Sequence, residues 1–92
     1  MNTIKNLRKI IDEIDNQLLD LIKSRMEVVI EIGQVKKQNN SEVVDEKREE
    51  EIFNRLAAKA AEKGVKPEIV KKVWKSLLEI SYDIEGGKDG NS

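Results

Sequence analysis

The stretch "IKNLRKIIDEIDNQLLDLIKSRMEVVIEIGQVKK" (residues 4–37) decides the fold. Its apolar residues return at alternating spacings of three and four: Ile4, Leu7, Ile11, Ile14, Leu18, Leu21, then position 25, then Val28, Ile32 and Val35. That is a heptad stripe along one face of a helix, and the residue at position 25 is an arginine. Thr3 is a suitable N-cap, no proline intervenes, and the only glycine is Gly33, so the pattern predicts one helix from about Thr3 to about Asn39, closed by "QNNSE". Such a helix is about 55 Å long. A compact globule of this chain length has a radius of gyration near 12 Å and a diameter of roughly 32 Å. Either the helix breaks near Arg25 or Gly33, or a second chain covers its overhang. The sustained stripe favours the second alternative and predicts a homodimer.

The rest of the chain reads as two shorter helices. Asp45 caps the second, with Glu46 and Glu49 at the positive end of its dipole, and its buried stripe is Ile52, Phe53, Leu56, Ala57 and Ala60. Gly64 stops it. Pro67 opens a third helix that carries Val70, Val73, Trp74, Leu77, Leu78, Ile80 and Ile84 at helical spacing. No alternating run is long enough for a sheet. The expected fold is all-α, a three-helix chain with a very long first helix in an intertwined dimer, with one domain over residues 1–85 and a flexible tail, "GGKDGNS", over residues 86–92.

Composition removes whole classes of function. Seventeen basic residues stand against eighteen acidic ones, so no general basic field exists for nucleic acid or an anionic membrane, and any anion site is local. With neither cysteine nor histidine, disulfides, thiolate nucleophiles, imidazole bases and most transition-metal sites are absent. No segment reaches the roughly 18 apolar residues of a membrane span, and "MNTIKNLRKI" has no uninterrupted apolar core for a signal peptide. The cytoplasm is the expected compartment.

All three helices place polar groups in line with an apolar face. Arg25 at a seam position either fixes the register of paired helices or aims a cation into a cavity at an anion. Lys36 lies eleven residues on, within about 20° of the same face, where it is either a solvated lysine or a second grip on a dianion. Asp45, Arg48 and Glu49 continue the row of Ile52 and Leu56, and Ser81 and Glu85 extend that of Val73, Trp74 and Leu77. Capped, solvated helix ends account for each group singly. A buried polar pocket accounts for all of them together.

Those residues carry a resemblance to the all-helical chorismate mutase family: "LRKIIDEIDNQLLDLIKSRMEVVIEIGQVKK", "VVDEKREEEIFNRL" and "WKSLLEISYDIE", over about residues 4–85. Most specific are "LRxxIDxIDxxLLxLIxxR", with Arg8 and Arg25 in register, and the "DxxRE" run of Asp45, Arg48 and Glu49. The resemblance implies paired first helices and two equivalent sites that each take one arginine from the other chain. Geometry agrees, since Arg8 and Arg25 are about 25 Å apart on one helix. Carried over by position, it puts Arg8 of one protomer and Arg25 of the other on the carboxylates of chorismate, with Arg48 and Ser81 assisting. Lys36 would donate to the ether oxygen, Glu49 would accept from the ring hydroxyl, and the Asp45 region would close over the substrate.

The implied reaction, chorismate to prephenate, is a one-step pericyclic rearrangement that needs no nucleophile, metal or cofactor. One position departs from the pattern: many members have glutamine where this chain has Glu85. A glutamate donates only when protonated, so activity is expected to rise as pH falls. Related activities of the same fold, isochorismate pyruvate-lyase or aminodeoxychorismate mutase, are the nearest alternatives. A ligand-sensing or assembly module that depends on a larger shikimate-pathway enzyme is the alternative from another class.

Overall fold

The computed structural model describes residues 3–87. Three helices account for nearly all of them: α1 (Ile4–Gln38), α2 (Glu46–Lys63) and α3 (Pro67–Glu85), with no strand among the described residues. The expected tail falls partly here, since Gly86 caps α3; residues 88–92 lie outside the described residues.

Local chemistry sets each boundary. The Thr3 side chain accepts from the Asn6 N–H at 3.2 Å, and Asp45 Oδ1 accepts from the Arg48 N–H at 3.0 Å, each satisfying a donor that the first helical turn leaves unpaired. Gly64 ends α2 in the left-handed region, at φ 71°, where any side chain is strained. Pro67 begins α3, its fixed φ suiting a first-turn position.

α1 is unbroken through Arg25 and Gly33, which removes the alternative of a kink. The molecule measures 57 × 31 × 17 Å with a radius of gyration of 16.4 Å, well above the approximately 12 Å of a compact chain of this size. α3 packs on the C-terminal half of α1 and also on α2, whereas α1 and α2 do not pack on each other. The gap between them is floored by α3.

The core within one chain is small. Its buried apolar residues are Val29, Ile52, Ala60, Val70 and Leu78, and no large side chain among the described residues is fully buried. Phe53, Leu56 and Ala57 of the expected α2 stripe are half-buried. Along the N-terminal half of α1, Ile4, Leu7, Ile11, Ile14, Leu18 and Leu21 expose between 45 and 67% of their surface. An apolar row of that length in water marks an interaction face.

Candidate active site

The gap between α1 and α2 holds a cavity of about 200 Å³. Val29 and Ile32 of α1, Ile52 of α2 and Leu78 of α3 give it apolar walls. Its polar groups are Arg25 and Lys36 from α1, Asp45 and Arg48 from the start of α2, and Ser81, Tyr82 and Glu85 from α3. Each helix brings them by the same device, an apolar row whose next turn is polar: Val29 between Arg25 and Lys36, Ile52 beyond Asp45 and Arg48, Leu78 before Ser81 and Glu85.

Arg25 is half-buried and donates through Nη1 to Ser81 Oγ at 2.5 Å. Ser81, itself buried, donates to the Leu77 carbonyl at 2.8 Å, which leaves its lone pairs to the guanidinium. Arg25 is thus held as a cation facing inward with most of its five N–H donors free of protein partners among the described residues. Lys36 Nζ donates to the Val43 carbonyl at 2.7 Å and meets Glu85 Oε1 at 2.5 Å, tying α1, the loop before α2 and the end of α3 to one point. The Glu85 side chain is only 5% exposed. Its Oε1 makes no hydrogen bond of good geometry, so the ammonium holds it as an ion-pair partner by charge. Arg48 sits nearer the surface and pairs with Glu51 at 3.5 Å, a contact screened enough to be exchanged at little cost.

Six of the eight residues singled out in the sequence therefore line one cavity: Arg25, Lys36, Asp45, Arg48, Ser81 and Glu85. Glu49 does not. It lines the neighbouring groove between α2 and α3, together with Tyr82. Arg8 is exposed on the overhanging half of α1, far from this cavity.

Tyr82 is the residue that sequence reasoning missed. It borders both the cavity and the groove. Burial pushes its phenol above the ordinary value of 10.0. The Asp45 backbone opposes this by favouring the phenolate, while the charge of Glu49, a hydrogen bond to that carboxylate, and the charge of Glu85 add to the rise. The signal was its position, one residue past Ser81 and on the same face as Leu78 and Glu85.

Among the described residues no group of acidic side chains has the arrangement of a metal site, and no helix is long and apolar enough to cross a membrane. What the cavity presents is three cations and two carboxylates within apolar walls, suited to a small polyanion held by directed hydrogen bonds.

An all-helical chain of this form, with a cationic cavity between its helices, belongs to a known class. A sequence model of the chorismate mutase type II family matches residues 7–86. The chain belongs to that family. It is 33% identical over 76 residues to a chorismate mutase of Methanocaldococcus jannaschii, an alignment covering 83% of this chain and 77% of that protein. It is 33% identical over 82 residues to the T-protein of Enterobacter agglomerans, covering 89% of this chain and 22% of the relative. With a bifunctional chorismate mutase/prephenate dehydratase of Aquifex aeolicus the identity is 31% over 88 residues, covering 92% and 24%. The chain thus spans about a fifth to a quarter of the length of these last two relatives. No solved structure matches it significantly.

Proposed function

We propose that this chain is a chorismate mutase, converting chorismate to prephenate on the route to phenylalanine and tyrosine, and that it works as a homodimer with two sites shared between chains. The observation that carries the reading is the convergence of Arg25, Lys36 and Arg48 on one apolar-walled cavity, within a chain matched to the family over nearly its whole length.

The reaction breaks the ether C–O bond while a C–C bond forms between the enolpyruvyl methylene and the ring. No atom enters or leaves. The protein must hold a flexible dianion in its compact chair-like conformer, which is positioning, and meet the negative charge that grows on the ether oxygen. Arg25, fixed by Ser81, grips one carboxylate of the substrate. Arg48 releases Glu51 to assist. Lys36 donates to the ether oxygen in exchange for one of its present partners, Val43 or Glu85, and protonated Glu85 supplies the second donor. Glu49, now in the groove beside Tyr82, turns toward the cavity to accept from the ring hydroxyl, and the turn at Asp45 closes the entrance.

Arg8 completes the site from the other chain. The exposed row from Ile4 to Leu21 supports this arrangement: it is the surface on which two first helices would pair, and Arg8 lies within it. Burying that row also supplies the core that one chain lacks.

The test is to follow the loss of chorismate's ultraviolet absorbance with purified protein across pH, identifying the product by mass and by acid conversion to phenylpyruvate. Prephenate is expected. Release of pyruvate would instead mark a lyase of the same fold, and turnover that appears only with a larger pathway enzyme would mark a partner-dependent module.

A further inference from the structure

Gly33 stands near the C-terminal end of α1, buried, against the last turn of α3. A Cβ built on it would lie 3.0 Å from the Cα of Glu85, 3.4 Å from its carbonyl oxygen and 3.5 Å from its Cβ. Carbon atoms at rest sit about 3.5–4.0 Å apart, so the two helices meet here with room for a hydrogen atom and nothing more. All three atoms met are fixed by the backbone of α3. No change of rotamer can move them aside.

The contact falls at a particular place in the cavity. Glu85 is the residue whose carboxylate meets Lys36, and Lys36 stands one turn beyond Gly33 on the same helix. One turn earlier on α3, buried Ser81 is held by Arg25. A side chain at position 33 could not push α3 away as a whole against that anchor. The displacement would fall on the last turn, past which the helix ends at Gly86.

We propose that Gly33 is a positioning residue: the absence of its side chain sets the Glu85 carboxyl against the Lys36 ammonium, at the point in the cavity where the ether oxygen is to be met. This inference rests on the chorismate mutase reading for its effect on rate, but not for its effect on the Lys36–Glu85 pair.

The experiment is Gly33→Ala, alone and combined with Glu85→Ala, read by steady-state kinetics and by the NMR signal of the Lys36 ammonium. Misplacing a reacting group by less than an ångström is expected to lower kcat by about tenfold to a hundredfold. KM, which depends mainly on the arginines anchored elsewhere, should change less than about threefold. In the Glu85→Ala background the same alanine should cost less than about twofold, because the group it displaces is already gone. The Lys36 signal should move in Gly33→Ala toward where Glu85→Ala puts it, whether or not the unaltered protein turns over chorismate. If the unaltered protein is inactive and the signal still moves, the activity reading fails and the positioning role stands. Three outcomes would overturn it: an unchanged Lys36 signal, losses in the two variants that simply multiply, or a Gly33→Ala chain that no longer folds and so shows the gap to be a requirement of packing alone.

Discussion

Glu85 occupies a position where charge and function pull in different directions. As a carboxylate it pairs with Lys36; to donate to an ether oxygen it must carry a proton. Glu85→Gln, which keeps a donor at this position, is therefore expected to retain most of the turnover of chorismate. Loss of most turnover in that variant would contradict a donor role for Glu85. Tyr82 allows a cleaner titration because it is the chain's only tyrosine. Absorbance of the phenolate should show a midpoint above 10.0, moving down in Glu49→Gln, which removes the charge beside it. The sign for stability follows: a phenol held protonated in the fold stabilises fully below the unfolded value near 10, and that contribution is lost as pH rises through the folded value. At this scale the sequence was uneven. Arg25, Lys36 and Glu85 were legible because a charge in an apolar row costs free energy unless something receives it. Tyr82 was not, because a tyrosine on an apolar face fits a core as readily as a site.

Helix ends were the most legible elements, since capping is local chemistry. Thr3, Asp45, Gly64 and Pro67 each stand where their side chains and backbone preferences place them. Asp45 has two roles that can be separated. Asp45→Ala is expected to cost about 1 kcal/mol of stability through the lost cap, measured by urea unfolding, whereas Asp45→Ser keeps a capping oxygen and should cost a few tenths at most. If both variants unfold alike, the bond to the Arg48 N–H contributes little. Gly33 shows what one element cannot reveal. A glycine inside a helix costs about 1 kcal/mol relative to alanine, and from sequence it stood as a possible break in α1. The structure keeps the helix intact and spends the missing side chain on an approach by α3. That reason lies on a helix some fifty residues away, so no reading of α1 alone contains it.

At the scale of the whole molecule, the chain is elongated and leaves one apolar face of its first helix uncovered. A first helix too long for a compact chain was legible from its heptads, and the elongated chain bears this out. Which face of α1 meets α3 was not, because Arg25 belongs at once to the heptad row and to the face that holds Ser81; only the crossing of the helices separates the two. The paired first helices and the shared site make one claim, and mixing of inactive subunits tests it most directly. Arg8→Ala and Arg25→Ala should each abolish most turnover of chorismate. Co-refolded in equal amounts, they form mixed dimers in which one site keeps both arginines and the other has neither, so activity should return to about a quarter of that of the unaltered protein. Recovery to that level, with prephenate as product, is the expected result. No recovery from mixed dimers, with the unaltered protein active, would contradict a site shared between chains.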